Sequence, residues 1–280
     1  MKARLPSRVA VVVVVIALAG VAAATAAVLH QSKDLDERFT SVALAGRVHA
    51  RVVLPPHYDE SGKRYPVVYF LHGLPANDSA YRGNGWVAGA LEQAGEAILV
   101  FPQGARGSDP DPEYLNWGVG RNWETYVADE VPAYVDAHFR TIRSRTGRAL
   151  VGLSAGGYGA MILGLHHLHR FSVIESWSGY FEPTDPTGTQ VLRRAASASA
   201  ANLVDGLRAA ERQDPTFVGF YVGRSDSRFL ADNLRFAAQL TRARVPHVFD
   251  VYPGGHRTTL WEAHAVRWLG LALRQLAPPR

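Results

Sequence analysis

The chain has 280 residues, of which 47% are hydrophobic and 20% are charged, and this length suits a single large α/β domain. The formal charge is +5, but no run of five or more like charges occurs, which disfavours a nucleic-acid-binding protein. The chain contains no cysteine, which excludes disulfides, thiol nucleophiles and thiolate metal sites.

The N-terminal residues have the pattern of an export signal. Three basic residues within the first eight precede the uncharged, apolar run 9–29. Residues 24–26 read Ala-Thr-Ala, an A-x-A cleavage site, yet the apolar run is also long enough to span a bilayer. Residues 1–30 are therefore predicted to be either a cleaved signal or a membrane anchor. Both alternatives place the rest of the chain outside the cell or in the cell envelope.

Residues 31–45 are polar and are predicted to be a linker ahead of one folded domain at 46–280. From residue 46 onward, short apolar runs alternate with segments of helical periodicity. The predicted strands, in chain order, are GRVHARVVLP, PVVYFL, AILVFP, RALVGL, FSVIESWS, TFVGFYVG and VPHVFDVYP. The predicted helices are ETYVADEVPAYVDAHF, AGGYGAMILGLHHL, RFLADNLRFAAQLTRA and TTLWEAHAVRWLGLALRQL. Pro132 lies inside the first of these helices and is a reason to expect a kink there.

The alternation of strands and helices predicts the architecture. Each strand is apolar along its length, which is typical of a mostly parallel central sheet with helices on both faces. The fold class is therefore predicted to be α/β. Residues 181–212 interrupt the alternation, and we expect them to pass over the sheet as a lid or substrate wall.

A serine between two glycines stands where a predicted strand passes into a predicted helix. Gly152-Leu153-Ser154-Ala155-Gly156 matches G-x-S-x-G, in which the serine occupies a sharp turn with its oxygen exposed above the sheet. Only very small neighbours fit beside such a turn, and the N-terminus of the following helix favours developing negative charge. Ser154 is therefore predicted to be a nucleophile, and the alternative is a tight turn that merely needs small residues.

A serine nucleophile needs a base, and the base needs an orienting carboxylate. With G-x-S-x-G the chain order is Ser, then Asp or Glu, then His. Asp226 and His256 follow two successive predicted strands in that order, at the carboxyl ends where open α/β sheets place their sites. They are predicted to be the acid and the base. The alternatives, which lie inside or just ahead of regular elements, are Asp214 and Asp232 as the acid and His247 and His264 as the base.

An acyl-transfer site also needs two backbone N–H donors for the developing oxyanion. Ala155, directly after the nucleophile, is one predicted donor. The other is predicted in the loop HGLPAND after the strand PVVYFL, where Leu74 is the candidate and His72 is expected to be structural.

A group of histidines, His166, His167 and His169, suggests a metal site at first sight. Their spacing fits neither H-E-x-x-H nor a metal cage, and no acidic cluster adjoins them in the sequence. They are therefore predicted to form an exposed helix end, and neither a metal nor a cofactor is predicted.

Together these segments resemble the α/β-hydrolase superfamily, and within it the esterase family that includes esterase D-like enzymes, feruloyl esterase domains and the secreted mycolyltransferases of actinobacteria. The segments that carry the resemblance are YPVVYFLHGL, NWETYVADEVPAYVDAHFRT, VGLSAGGYGAM, GRSD and GGHRTTLWEAH. The resemblance implies Ser154 as nucleophile, His256 as base and Asp226 as acid, with Leu74 and Ala155 as oxyanion donors.

The resemblance also ranks the functions. NWETYV and the export signal favour the mycolyltransferases. The loop after the strand PVVYFL does not, because mycolyltransferases look like D-G-L-R there and this chain reads H-G-L-P. We therefore expect an exported serine carboxylesterase that forms an acyl-serine on a small-molecule, lipid or glycan ester. The alternatives are an acyltransferase that moves an acyl group to a sugar or glycan, and a non-catalytic binding protein of the envelope.

Overall fold

The computed structural model describes residues 32–182 and 199–280, and its centre is an eight-stranded sheet in the order β1-β2-β4-β3-β5-β6-β7-β8. β1 and β2 pair antiparallel, as do β2 and β4, and every other neighbouring pair is parallel. The strands are β1 (Lys33–Ser41), β2 (Gly46–Leu54), β3 (Val67–Leu71), β4 (Ile98–Pro102), β5 (Arg148–Leu153), β6 (Val173–Trp177), β7 (Phe217–Gly223) and β8 (Val248–Tyr252).

The helices of the described residues cover both faces of this sheet. They are α1 (Tyr58–Ser61), α2 (Trp86–Ala94), α3 (Trp123–Thr125), α4 (Val131–His138), α5 (Ala155–His166), α6 (Ala200–Ala210), α7 (Leu230–Ala243) and α8 (Thr258–Gln275). α2 and α8 pack together over one buried apolar cluster, and α4 to α7 cover the other. The predicted α/β fold with a mostly parallel sheet is confirmed, because strands buried on both faces need helices on both sides.

The region 31–45 is not the linker that its polarity predicted, because it contains β1. Along this strand, exposed residues alternate with half-buried ones, and Leu35 and Phe39 pack against the core. The ring of Phe39 stacks on that of Tyr134, with centroids 4.3 Å apart. Charged residues on the outer face of an edge strand make the segment read as polar, although its inner face is apolar.

The helix predicted over ETYVADEVPAYVDAHF is interrupted, as Pro132 led us to expect. α3 passes into a π-helix at Tyr126–Glu130, and only then does α4 begin, with Pro132 in its first turn. Proline has no N–H to donate to the carbonyl four residues before it, so a wider turn ahead of it avoids a lost hydrogen bond. The bulge also brings the Glu130 carboxylate to the β1–β2 turn, where it accepts hydrogen bonds from the amides of Val42 and Ala43.

Two predicted features fall outside the described residues. The signal or anchor at 1–30 is one, and the central part of the excursion 181–212 is the other, although its last third forms α6. Within the part of the chain that is described, no helix is both long enough and apolar enough to cross a membrane.

Candidate active site

The parallel strands β3 to β8 end at the same edge of the sheet, and the loops that follow them form the site. Ser154 directly follows β5 and caps the N-terminus of α5. Its backbone has φ 54° and ψ −122°, a strained conformation for a residue with a side chain. The Ser154 amide donates to the carbonyl of Trp177 at 2.9 Å, which fixes the turn. The serine thus occupies the sharp strand-to-helix turn that its sequence pattern predicted.

The two glycines of the pattern are required by close packing. A Cβ on Gly152 would lie 2.1 Å from the carbonyl oxygen of Gly156, and a Cβ on Gly156 would lie 2.0 Å from the carbonyl oxygen of Leu71. Both distances are far below a van der Waals contact, so no other residue fits at either position without movement of the backbone. The turn is therefore held against β3 as well as against its own helix.

A continuous chain of hydrogen bonds joins the three predicted residues. The Nε2 atom of His256 lies 2.9 Å from Ser154 Oγ, and its Nδ1 atom lies 2.8 Å from Asp226 Oδ2. Asp226 is buried at 1% exposure, and its Oδ1 atom accepts hydrogen bonds from the amides of Arg228 and Phe229. The structure therefore brings together the serine, histidine and aspartate of the sequence prediction in the geometry of a nucleophile, a base and an orienting carboxylate.

The other candidates for acid and base lie elsewhere. Asp232 accepts from the amide of Phe181 and pairs with Arg235, and Asp214 pairs with Arg145. The His247 ring stacks near Phe220, and His264 stacks on Tyr252 at 3.5 Å between centroids. Each therefore has a packing or ion-pairing role that its local environment explains.

The two predicted oxyanion donors border the same cavity as Ser154. Ala155 is the first residue of α5, so its N–H has no acceptor within the helix. Leu74 lies in the loop after β3, and within the described residues its amide donates no backbone hydrogen bond. A Cβ on Gly73 would lie 2.9 Å from Ser154 Cβ, so this loop rests directly against the nucleophile.

His72 holds that loop in place. It is buried at 5% exposure, its Nδ1 is 3.1 Å from the Gly73 carbonyl, and its Nε2 accepts from the Gly104 amide at 3.1 Å. Burial lowers the pKa of His72 from 6.5 to about 4, so the ring is neutral near pH 7 and one nitrogen is free to accept. Tyr114 adds a 2.7 Å hydrogen bond from its hydroxyl to the His72 carbonyl.

Aromatic side chains that the sequence analysis did not identify surround the histidine. The rings of Phe229 and Trp261 lie edge to face with His256, at centroid distances of 5.1 and 5.2 Å. Tyr180 packs on Phe229 and donates to Glu113 at 2.6 Å, and burial raises the pKa of the Tyr180 hydroxyl well above its usual value. The contacts of Phe229 and Tyr180 join segments far apart in the sequence, so periodicity and motifs carry no signal for them, whereas Trp261 follows His256 by five residues.

These groups line a cavity of about 580 Å³ that opens above Ser154. Its lining is mostly apolar, with a few polar and charged side chains near His256. The lining residues are Leu74, Pro75, Ala76, Pro110, Asp111, Ser154, Ala155, Tyr180, Arg228, Phe229, His256, Arg257, Thr258 and Trp261. A cavity of this size suits a small organic substrate.

The histidine group at the end of α5 has a carboxylate partner. Glu124 accepts from His166 at 2.9 Å and from His167 at 3.0 Å. Across residues 32–182 and 199–280, no three histidine, aspartate or glutamate side chains are arranged to hold a metal ion. This cluster joins α3 to α5.

Comparison with known proteins places this geometry in a family. An esterase of Mycobacterium tuberculosis is 27% identical over 252 residues, which cover 78% of this chain and 54% of that protein. The diacylglycerol acyltransferase/mycolyltransferase Ag85B of Mycobacterium avium is 28% identical over 213 residues, 69% of this chain and 62% of the relative. The chain therefore spans little more than half the length of these relatives.

A solved structure and a family model agree with these similarities. A ferulic acid esterase superposes with a TM-score of 0.75 at 26% identity, over 88% of this chain and 100% of that chain. The family model described as "Putative esterase" matches residues 41–269, which include every loop that contributes to the cavity. By this match, its α/β-hydrolase fold and its serine-centred site, the chain belongs to that esterase family.

Proposed function

We propose that this protein is a serine carboxylesterase with Ser154 as nucleophile, His256 as general base and Asp226 as the orienting acid. The observation that carries the proposal is the unbroken chain of hydrogen bonds from Asp226 through His256 to Ser154 Oγ, at the wall of a substrate-sized cavity. Each member faces the next with the atom that the chemistry needs.

The first half-reaction transfers the acyl group to the enzyme. His256 Nε2 accepts the proton of Ser154 Oγ as that oxygen attacks the ester carbonyl carbon. The carbonyl oxygen becomes an oxyanion, which the amides of Leu74 and Ala155 stabilise together with the N-terminus of α5. When the tetrahedral intermediate collapses, the bond to the alcohol oxygen breaks and His256 donates its proton to that oxygen.

The second half-reaction restores the enzyme. Water gives a proton to His256 Nε2 and attacks the acyl-serine, which releases the carboxylic acid and returns the proton to Ser154 Oγ. Throughout, Asp226 accepts the Nδ1–H hydrogen bond and stabilises the imidazolium that forms in each half-reaction. The turnover needs only water as a second substrate.

The cavity lining supports small, largely apolar esters as substrates. The rings of Phe229 and Trp261 lie edge to face with His256, and Leu74, Pro75 and Pro110 also line the cavity. The similarity to a ferulic acid esterase supports an aromatic group on one side of the ester.

We also propose that the chain acts outside the cytoplasm. The basic start and the apolar run 9–29 support export, as a cleaved signal or as an anchor. The folded catalytic domain then extends from Lys33, the first residue of β1, to the C-terminus.

The test uses a p-nitrophenyl ester series from acetyl to palmitoyl, with the wild-type chain beside Ser154→Ala. We expect hydrolysis and fluorophosphonate labelling by the wild type and neither by the variant, since Ser154 Oγ is the hydroxyl hydrogen-bonded to His256 at the cavity. Equal rates in the two proteins would exclude Ser154 as the nucleophile. A folded wild type that takes up no label would instead favour the non-catalytic binder.

Acyl transfer is the second candidate, and the similarity to the mycolyltransferase Ag85B favours it. In that reaction a sugar hydroxyl replaces water in the second half-reaction. Product analysis with and without a millimolar acceptor sugar separates the two, because transfer yields an acylated sugar and hydrolysis yields only the free acid.

A further inference from the structure

Two arginines line the cavity although the hydrolytic chemistry does not use them. Arg228 lies two residues after Asp226, and Arg257 directly follows His256, so both belong to the loops that hold the triad. Both are exposed to solvent, and within residues 32–182 and 199–280 neither forms an ion pair.

Some arginines on other faces of the molecule have carboxylate partners. Arg121 pairs with Asp109, and Arg148 pairs with Asp136. An arginine that is exposed only to solvent is unremarkable by itself. Two of them on neighbouring loops, both lining the cavity of a triad, provide donors for a group that a substrate brings in.

Arg228 is held in place by stacking. Its guanidinium carbon lies 4.8 Å from the centroid of the Phe229 ring, and that ring lies edge to face with His256. The cation–π contact restricts the side chain to the vicinity of the catalytic histidine. Less conformational entropy is then lost when the guanidinium binds an anion.

The chemistry of the site tells which part of a substrate these arginines meet. His256 Nε2 must donate its proton to the leaving alcohol oxygen, so the alcohol portion begins within hydrogen-bond distance of that atom. Arg257 is the next residue in the chain, and Arg228 stacks on a ring that contacts His256. Both arginines therefore belong to the part of the cavity that receives the alcohol portion.

The carboxylates around the cavity have other positions and partners. Asp226 is engaged with His256 and two amides, and Glu113 accepts from Tyr180. Asp111 lines the cavity, and its charge adds to the effect of burial, which raises the pKa of Tyr114 and Tyr180. Of the charged side chains that line the cavity, Arg228 and Arg257 lie on the loops that carry Asp226 and His256, and Asp111 lies on the loop after β4.

We propose that Arg228 and Arg257 select esters whose alcohol portion carries an anionic group, either a carboxylate or a phosphate. This inference rests on the proposed esterase function and names its substrate class. A planar guanidinium presents paired N–H donors that match the oxygens of a carboxylate or a phosphate. Two arginines on adjacent loops supply two such pairs of donors.

The test compares esters that share an acetyl group and an aromatic alcohol but differ in charge. The probes are 3-acetoxybenzoate, 3-acetoxyphenyl phosphate and the neutral methyl 3-acetoxybenzoate. The readout is the ratio of kcat/KM for each anionic ester to that for the neutral one, in the wild type and in Arg228→Gln, Arg257→Gln and the double variant. Comparing ratios between enzymes cancels the intrinsic reactivity of each ester.

We expect each substitution to lower the anionic-to-neutral ratio about five- to tenfold, as for a partly exposed charge-assisted hydrogen bond. Arg242→Gln, an exposed arginine on α7 that does not line the cavity, should leave the ratio within about twofold of wild type, since screened charges at a distance act weakly. Arg228→Lys and Arg257→Lys keep the charge and should retain more of the preference than the glutamine variants.

The carboxylate and phosphate probes distinguish the two anionic groups. The group that the arginines prefer is the one whose anionic-to-neutral ratio falls further in the glutamine variants. A second pair of esters, p-nitrophenyl hemisuccinate and p-nitrophenyl butyrate, places the charge on the acyl side. A larger loss for that pair would overturn the assignment to the alcohol portion.

The inference and the function it rests on fail in different ways. Ser154-dependent hydrolysis of the neutral ester, with the same charge ratio in the wild type and both single variants, would overturn the arginine assignment and leave the esterase intact. Absence of Ser154-dependent hydrolysis for every probe would overturn both.

Discussion

Asp226 is the most constrained residue of the site, and its contacts explain its role. One carboxylate oxygen holds His256 Nδ1, and the other accepts two backbone amides of its own loop. The carboxylate therefore cannot rotate away, and the imidazole keeps Nε2 directed at Ser154. The amide of Ser225 donates to the carbonyl of Gly254 at 2.8 Å, so the acid and base loops are joined next to the triad.

We expect Asp226→Asn to lower kcat about 10³- to 10⁴-fold, as for loss of the acid in other triads, because an amide favours the wrong imidazole tautomer. KM should change much less, since Asp226 is buried behind the histidine. Steady-state kinetics on p-nitrophenyl acetate provide the measurement. Asp232→Asn is the matched control and should retain wild-type kcat, and a comparable loss in that variant would exclude Asp226 as the sole acid.

At the scale of single residues, the three side chains of the proposed triad could be selected from the sequence because their signals are local. Small residues around Ser154, and the positions of Asp226 and His256 after successive strands, can be read along the chain. Arg228 and Arg257 stand in the same short segments, so sequence proximity to the triad was a signal for them too. The contact of Phe229 with His256 depends on how two loops meet, and no periodicity encodes that.

Among the elements, the loop after β3 depends on a neutral histidine. His72 accepts from the Gly104 amide, and a protonated ring has no lone pair for that hydrogen bond. Because the folded-state pKa lies below the ordinary value, the folded protein binds this proton less tightly than the unfolded chain. The stability from His72 is therefore complete above pH 6.5 and is lost as the pH falls toward about 4.

We expect the free energy of unfolding of the wild type to fall by about 3 kcal/mol between pH 6.5 and pH 4, because the unfolded chain binds a proton at His72 before the folded protein does. His72→Gln removes the titrating group and should show a smaller decline over the same range, although it starts from a lower stability. Urea unfolding at several pH values measures both curves. Exposed His169→Gln serves as the control, and parallel curves for wild type and His72→Gln would contradict the assignment.

Most strands and the long helices were predictable from apolar periodicity, and the exceptions have physical causes. β1 was read as a linker because its outward side chains are charged, while its pairing with β2 is a long-range property. α2 was not predicted, since its apolar side chains become a buried face only against α8. Pro132 signalled an interruption, but not that a π-helix would form or that Glu130 would reach the β1–β2 turn.

For the whole molecule, the β1–β2 hairpin closes one edge of the sheet. β2 pairs with β4 and so connects the hairpin to the parallel strands that carry the site. Arg51 on β2 bonds Asp34 on β1, and Phe39 stacks on Tyr134 of α4. The hairpin is therefore part of the folded domain.

This gives a prediction about where the domain begins. A chain that starts at Ser32 should be more stable than one that starts at Gly46 by at least about 2 kcal/mol, because the shorter chain loses the half-buried side chains of Leu35 and Phe39. Thermal and urea unfolding of the two chains measure the difference. Phe39→Ala in the longer chain should reproduce part of the loss, whereas equal midpoints for both chains would restore the linker interpretation of residues 31–45.

The positive φ of Ser154 lowers the stability of the fold at the residue that the proposed reaction requires. A residue with a side chain in that conformation costs on the order of 1–3 kcal/mol, and glycine would avoid most of the cost. Replacing Ser154 by glycine should therefore stabilise the fold while it removes the proposed nucleophile. With Ser154 as the proposed nucleophile, the reaction requires a side chain that the backbone at this position disfavours, so a Ser154→Gly variant should gain stability and lose activity.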